Sequence, residues 1–413
     1  MTVRVSEAQR RGRLAERQLP GASVASVGEV AESLVALHAT DPVTVYLSAW
    51  ARSRCAVSEV DAALYAERAV VRMLGMRRTV FVVPAGLAGV VQAACTDDVA
   101  RRMRRQLEKD LAGGGVGDGD AGGWLRSVED GVLRALAARG GGATGAQLSS
   151  DEPRLRTQLI YAPDKAYGGA ANITSRVLVL IAAEGRMMRG HRRGGWSSGQ
   201  FEWSLPQTWL HGFKEHGDGE AGSSVGRTPV PGDGLGAGMD AGAARAELAR
   251  RWLTAFGPAL AADLQWWAGW TVAQTKAALA VLPVTEADLD GQAGIALADD
   301  LEFPVDVPPV AALLPALDPT PMGWQSRSWY LGPHAPLLFD RTGNIGPTVW
   351  WEGRVVGGWT QRASGEVVYR LLEDIGSDGE AAVTAEAAGL EAWLSSSRVT
   401  PRFRTPLERE LSA

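Results

Sequence analysis

Three side chains that can hold and deprotonate a water molecule, His38, Thr40 and Asp41, lie within four positions in the segment LVALHATDPVTVYLSAW. His38 is predicted at the end of an amphipathic helix, two residues before Thr40, so beyond the last helical turn both side chains can point into one cleft. Pro42 follows at once and favours the start of another helix. A structural interpretation fits the spacing equally well, because Thr40 or Asp41 could cap that helix while His38 packs in the core.

A basic and aromatic segment, HRRGGWSSGQFEW, indicates a second kind of chemistry. Arg192, Arg193 and Trp196 stand with two glycines at the predicted tip of a hairpin. Such a hairpin can enter a DNA groove, where the guanidinium groups neutralise phosphates and the indole ring stacks or wedges. The alternative is an exposed loop with incidental arginines.

Basic residues are concentrated toward the N-terminus although the net charge of the chain is −5. Residues 1–110 carry 16 Lys and Arg against 12 Asp and Glu, whereas residues 206–413 carry 15 against 26. The distribution of charge matters more than its total for nucleic-acid binding. Arg72, Arg77 and Arg78 are therefore candidates for contacts with the DNA backbone, and the run RRMRR at 101–105 is interpreted as a solvated helix face.

The residue patterns of metal and cofactor sites are missing from the sequence. His191, His211, His216 and His334 have no Cys, Asp or Glu at metal-ligand spacing, and there is no phosphate-binding glycine motif or nucleophile elbow. We therefore predict no metal and no cofactor. The two cysteines, Cys55 and Cys95, lie in apolar helical surroundings, which predicts buried free thiols.

The length and hydropathy of the chain predict a multidomain protein of the cytoplasm. At 413 residues two to four domains are expected. No apolar run approaches the roughly 18 residues that span a bilayer, and the first residues lack the pattern of a secretory leader. We expect a monomer that is associated with the nucleoid and binds no membrane.

Two glycine-rich breaks, at 112–123 and 216–242, are predicted to be linkers, and one pattern of elements occurs on both sides of the second. The first copy consists of SVEDGVLRALAARG, ATGAQLS and NITSRVLVLIAAEG followed by the basic hairpin. The second consists of ARAELARRWLTAFG, PALAADLQWWAG and WTVAQTKAALAVL followed by PVTEADLDGQAGIALADD. Three helices and a hairpin are typical of a winged helix, and the repetition strengthens that interpretation.

The predicted fold class is α+β, with tandem winged-helix (helix-turn-helix) domains followed by a C-terminal β-rich domain. The four predicted domains are an N-terminal winged-helix-like domain at 1–111, a central winged helix with the basic hairpin at 124–215, a third winged helix at 240–300, and a β domain with a terminal helix at 301–413.

The segments LVALHATDPVTVYLSAWAR, MRRTVFVVP, LLPALDPTPMGW and VVGGW, together with the central hairpin, carry a family resemblance. The sequence resembles the bacterial winged-helix DNA-binding proteins that include interstrand-crosslink DNA glycosylases of the azinomycin-resistance type. The resemblance implies three tandem winged helices around duplex DNA and a C-terminal β domain. It also implies removal of N7-alkylated purines without extruding the base far from the stack, in contrast to base-flipping enzymes.

The sequence departs from that family at the residues that would act on water. In the family a Gln, a hydrophobic residue and a Gln or Asp position water near the sugar, and the matching positions here are His38, Ala39 and Thr40. An N7-alkylated purine is already a good leaving group, so the protein has only to stabilise the sugar cation and hold a water molecule. A neutral His38 can accept a proton from that water, Thr40 can orient it, and Asp41 can supply negative charge.

Two functions follow from these residues. The first is a DNA glycosylase for N7-alkylated or crosslinked purines in duplex DNA. The alternative is a non-catalytic winged-helix DNA-binding protein, either a lesion sensor or a transcriptional regulator, in which His38 is structural. A third hypothesis, a regulator that binds an organic ligand, is supported only by the many tryptophans.

Overall fold

The computed structural model describes residues 2–19, 24–161, 168–210, 235–304 and 306–413. His211, His216, the end of the predicted domain 124–215 and most of the predicted linker 216–242 lie outside these residues. Within the described ranges, no helix is long and apolar enough to cross a membrane.

The helices vary from single turns to 19 residues. They are α1 (Glu7–Gln18), α2 (Val27–Ser33), α3 (Pro42–Ser53), α4 (Val57–Asp61), α5 (Ala88–Val91), α6 (Asp97–Gly113), α7 (Ala121–Ala138), α8 (Gly145–Asp151), α9 (Thr174–Ala183), α10 (Pro206–Trp209), α11 (Ala241–Phe256), α12 (Ala261–Ala268), α13 (Val272–Ala280), α14 (Ser328–Leu331), α15 (Ala335–Leu338), α16 (Gly376–Leu394) and α17 (Pro406–Leu411).

The strands are short, as is usual where hairpins accompany helices. They are β1 (Val3–Arg4), β2 (Leu37–His38), β3 (Val70–Leu74), β4 (Val80–Pro84), β5 (Gly142–Ala143), β6 (Gln158–Tyr161), β7 (Gly169–Asn172), β8 (Met188–Arg192), β9 (Phe201–Ser204), β10 (Val284–Leu289), β11 (Gln292–Leu297), β12 (Ala311–Leu314), β13 (Thr348–Trp351), β14 (Arg354–Gln361) and β15 (Val367–Leu371).

The chain divides into two compact units. Unit 1 comprises Met1–Val71, Thr79–Pro84 and Arg245–Ala413, and unit 2 comprises Arg72–Arg78 and Ala85–Ala244. This division differs from the four domains expected from the sequence, since residues 72–78 and 85–111 of the predicted N-terminal domain belong to unit 2. The boundaries of the four domains remain a prediction.

Unit 1 contains the second predicted helix triplet and the C-terminal β segment. The triplet is α11, α12 and α13, followed by the antiparallel pair β10 and β11, with β1 added in parallel to β10. Gly269 ends α12 with a φ of 74°, a left-handed conformation that suits glycine at this position. The strands β12 to β15 form an antiparallel sheet in chain order, and α16 packs against β12.

Unit 2 contains the first predicted triplet. The helices α7, α8 and α9 precede the antiparallel strands β8 and β9, and β5 pairs with β9 to complete a three-stranded sheet. The core of the unit includes apolar side chains of all three helices, such as Val128, Leu148 and Ile181. Leu107 and Leu111 of α6 belong to the same core, which therefore extends N-terminal of residue 124.

Two features of unit 2 differ from the sequence-based interpretation. The predicted linker at 112–123 is shorter, because α6 continues to Gly113 and Asp120 caps α7 by accepting a hydrogen bond from the Gly123 amide at 2.7 Å. An additional hairpin, β6 and β7, lies between α8 and α9 and was not predicted.

The run at 101–105 is also not simply a solvated face. Arg104 donates hydrogen bonds to Glu129 at 2.8 Å and to Glu184 at 2.6 Å. Glu129 is fully buried, and this burial raises the pKa of its carboxyl group although Arg104 and Arg186 both contact it. A buried carboxylate requires such partners, so Arg104 stabilises the interior of unit 2.

Candidate functional site

The residues proposed to act on water lie on an extended segment of unit 1. α2 ends at Ser33, and the chain continues as β2 instead of the longer helix that the sequence predicts. Val35, with a φ of 65°, turns the chain between them. His38 pairs with Phe81 of β4, and the two rings meet edge to face with their centres 5.4 Å apart. His38 is 7% exposed and Thr40 is half-buried, so Thr40 is the more accessible of the two side chains.

Asp41 has a structural role in the same segment. One carboxylate oxygen accepts a hydrogen bond from the Val43 amide at 3.2 Å and caps α3, and the other accepts from the Arg402 amide at 3.0 Å. Asp41 therefore caps the helix that follows it, which is the structural alternative that the sequence left open. In the sequence Asp41 directly follows Thr40 and is three positions from His38.

Removing the Asp41 carboxylate should lower the stability of the protein. We expect Asp41→Ala to reduce the free energy of unfolding by about 1 kcal/mol or more, because a helix cap and a second backbone hydrogen bond are lost together. Denaturant unfolding monitored by circular dichroism measures this loss. Asp41→Ser keeps a capping oxygen and should recover part of it, and an Asp41→Ala variant as stable as the unaltered protein would contradict the structural role.

α3 is anchored by a fully buried ion pair, which sets the position of the segment before it. Arg52 near the end of α3 donates to both carboxylate oxygens of Asp318, at 3.0 and 2.8 Å, and neither side chain is exposed. Thr44 in the first turn of α3 donates to the Ala316 carbonyl at 2.8 Å. The segment LLPALDP, which begins in β12, and the helix that follows Asp41 are therefore joined at two points.

The hairpin of β8 and β9 in unit 2 carries the predicted DNA-contact residues. Arg193 is exposed and pairs with Glu202 across the hairpin at 2.9 Å, and Arg192 donates to the Gly194 carbonyl at 3.2 Å. Trp196 is half-buried. Gly194 has a φ of 86°, which explains why glycine stands at this turn.

The other predicted contact residues, Arg72, Arg77 and Arg78, differ in accessibility. Arg72 is only 8% exposed, Arg77 is half-buried and Arg78 is exposed. Arg77 and Arg78 have φ values of 52° and 60°, which side chains other than glycine rarely adopt and which cluster at functional sites. These two residues are better placed for a surface contact than Arg72.

Arg189 is a further candidate for DNA contact on this hairpin, and the sequence analysis did not identify it. Its guanidinium lies over the Phe201 ring at 4.3 Å, and it has no ion-pair partner among the described residues. Burial and the nearby charge of Arg72 lower the pKa of Arg189 to about 10. The strand alternation that sets Arg189 opposite Trp203 was the available signal.

No group of three His, Cys, Asp or Glu side chains in the described part of the chain is arranged to hold a metal ion. Cys55 and Cys95 are both buried and form no disulfide, as predicted. Unit 1 thus brings His38, Thr40 and Asp41 together, and unit 2 carries the arginine-rich hairpin.

A family model described as DNA glycosylase AlkZ-like matches residues 31–393, which include the segment at 38–41 and the hairpin at 191–203. The chain belongs to the AlkZ-like DNA glycosylase family. This confirms the resemblance inferred from the sequence, and with it the reaction class of the family, DNA glycosylase chemistry. No curated protein matches the chain.

A solved structure shows the same fold. Streptomyces sahachiroi DNA glycosylase AlkZ is similar to this family member with a TM-score of 0.69 and 20% sequence identity, over 97% of this chain and 100% of that chain. The predicted mixture of helices and strands is confirmed. The winged-helix interpretation of its parts remains a prediction.

Proposed function

We propose that this protein is a monomeric DNA glycosylase that releases N7-alkylated purines, including crosslinked ones, from duplex DNA. The observation that carries the proposal is the family match over residues 31–393, which includes both the water-holding segment and the basic hairpin. Association with the nucleoid follows from the same substrate and stays a prediction.

We further propose that α7–α9 with β5, β8 and β9, and α11–α13 with β10 and β11, are winged helices. The order of three helices followed by a hairpin supports this in both cases. In the first module, β5 lies between α7 and α8 and pairs with β9, the second strand of the hairpin. A short strand between the first and second helices is expected of a winged helix. Arg192, Arg193 and Trp196 lie at or beside the tip of that hairpin.

The reaction requires little acid catalysis. Cleavage of the bond between C1′ and N9 sends its electron pair to the cationic purine, which leaves as a neutral base. Water then attacks C1′ and gives up a proton. His38 accepts that proton, Thr40 orients the water molecule, and the Asp41 charge stabilises the cationic sugar.

The alternative, a non-catalytic lesion sensor, is favoured by one observation. His38 is only 7% exposed and packs on Phe81, so its ring also serves the interior. In this case the departure from the family's Gln-containing pattern marks a loss of activity.

The two functions are separated by incubating the purified protein with duplex DNA that carries one N7-methylguanine, and in parallel with an N7-crosslinked duplex. A glycosylase releases free modified base, which chromatography detects. Tight binding to the lesion without base release supports the sensor, and the absence of both contradicts the proposed function.

The hairpin arginines provide a separate test of DNA contact. We expect Arg192→Gln/Arg193→Gln to weaken binding to damaged and intact duplexes alike, and to lower the slope of log K against log salt by about 2, since each phosphate contact contributes roughly 0.9. Fluorescence anisotropy at several salt concentrations measures both.

The matched control is Arg362→Gln/Arg370→Gln. It removes two exposed arginines that pair with Glu366 and Glu410 in the C-terminal sheet. An equal change in slope for both double variants would remove the hairpin from the interface.

A further inference from the structure

We propose that Arg402 is an additional DNA-contacting residue, which binds a backbone phosphate beside the nucleotide that reacts at His38 and Thr40. The inference rests on the proposed function, because it requires DNA at this segment. The family match ends at residue 393, so it does not include Arg402.

The backbone around Arg402 is held at both ends. Gln361 of β14 donates to the Ser397 carbonyl at 3.1 Å and accepts from the Val399 amide at 2.9 Å. Three residues further on, the Arg402 amide donates to Asp41 at 3.0 Å. The segment from 397 to 402 therefore connects the C-terminal end of β14 to the water-holding segment at 38–41.

The guanidinium of Arg402 is directed to the same place. One of its nitrogens, Nη1, donates to the Thr40 carbonyl at 3.3 Å, and the side chain is exposed. A guanidinium has five N–H donors, so most of its hydrogen-bonding capacity remains available. A cation therefore stands in the accessible part of the site, next to the half-buried Thr40.

Charge pairing distinguishes Arg402 from three other arginines of the C-terminal region. Arg362, Arg370 and Arg404 pair with Glu366, Glu410 and Glu408. Arg402 has no ion-pair partner among the described residues, and its planar fork matches the geometry of a phosphate. The phosphates that flank a nucleotide are the anions nearest to its sugar, so DNA bound for reaction at Thr40 brings one to Arg402.

The chemistry also indicates whether the loss of the Arg402 charge should change the affinity for DNA or the rate constant of base release. An unpaired cation beside C1′ would oppose the positive charge that develops on the sugar, whereas a phosphate-bound guanidinium is neutralised. Arg402 should therefore stabilise bound DNA before and during the reaction to a similar extent. A contact of this kind changes affinity and leaves the rate constant of bound DNA nearly unchanged.

Arg402→Gln tests the proposal, because glutamine keeps N–H donors but carries no charge. We expect the Kd for damaged and intact duplexes to rise by about 3-fold to 10-fold, and the slope of log K against log salt to fall by about 1. The single-turnover rate of base release at saturating protein should stay within about 2-fold of the unaltered protein. Arg402→Lys should restore the salt slope, since it restores the charge. Thermal unfolding confirms that both variants are folded.

Arg370→Gln is the matched control, because it removes one exposed arginine from the same sheet region. If the unaltered protein binds DNA and Arg402→Gln leaves the salt slope unchanged, or changes it no more than Arg370→Gln does, the contact does not exist. Loss of the rate without loss of affinity also contradicts it. If the unaltered protein binds no DNA, the proposed function is wrong. This result is distinct from a failure of the Arg402 proposal, which requires that the unaltered protein binds DNA.

Discussion

Replacing His38 by alanine is expected to lower the single-turnover rate of base release from an N7-methylguanine duplex by at least about 100-fold. The physical reason is the loss of the group that takes the proton from the attacking water. A hundredfold loss corresponds to about 2.7 kcal/mol of transition-state stabilisation. The rate is measured by chromatography of the released base at saturating protein.

His38→Gln/Thr40→Asp reproduces the pattern that the resemblance attributes to active family members. We expect that variant to release base.

His334→Ala is the matched control, since His334 lies in the C-terminal region and contacts Glu373 at 3.2 Å. It should leave the rate unchanged. If His38→Ala retains the rate of the unaltered protein, His38 is a packing residue. If the unaltered protein has no rate but the His38→Gln/Thr40→Asp variant does, the departure at these two positions has abolished activity and the sensor interpretation is correct.

Removing one partner of the buried pair Arg52 and Asp318 should destabilise the protein strongly. We expect Asp318→Ala to lower the free energy of unfolding of unit 1 by about 3 to 5 kcal/mol, because it leaves a buried guanidinium without its anion. The five N–H groups of Arg52 make five hydrogen bonds, to Gln18, Ser48, Asp318 and Thr320. A lysine ammonium has only three N–H donors and lacks the planar fork, so Arg52→Lys should also be destabilising. Denaturant unfolding measures each loss.

Two comparisons make this prediction specific. Arg362→Ala removes a partly exposed pair with Glu366 and should cost less than about 1 kcal/mol. Arg52→Met/Asp318→Leu removes both charges together and should be more stable than Asp318→Ala, since no uncompensated charge stays buried. A loss for Asp318→Ala as small as that for Arg362→Ala would show that the pair is not the anchor of α3.

Local patterns in the sequence anticipated much of the architecture. Both helix triplets occur where apolar spacing predicts them, and Gly269 ends α12 as its type suggests, but Asn172 lies in β7 and does not cap α9. The β6 and β7 hairpin was missed because its second strand, GAAN, lacks the β-branched and aromatic residues typical of strands. The helix expected to reach His38 stops at Ser33 because Val35 adopts a left-handed conformation that no local signal predicts.

By itself, the sequence determined the family, the two helix-and-hairpin repeats and the residue types at 38–41, because these depend on local spacing and on short motifs. Only the tertiary structure decided that Asp41 caps α3 and holds the Arg402 amide, 361 positions away, and that Arg52 meets Asp318, 266 positions away. It also decided that Arg72 is buried while Arg78 is exposed. The reason is physical: the desolvation and pairing of a charged side chain depend on which distant segments pack around it, and residue spacing along the chain does not specify that packing.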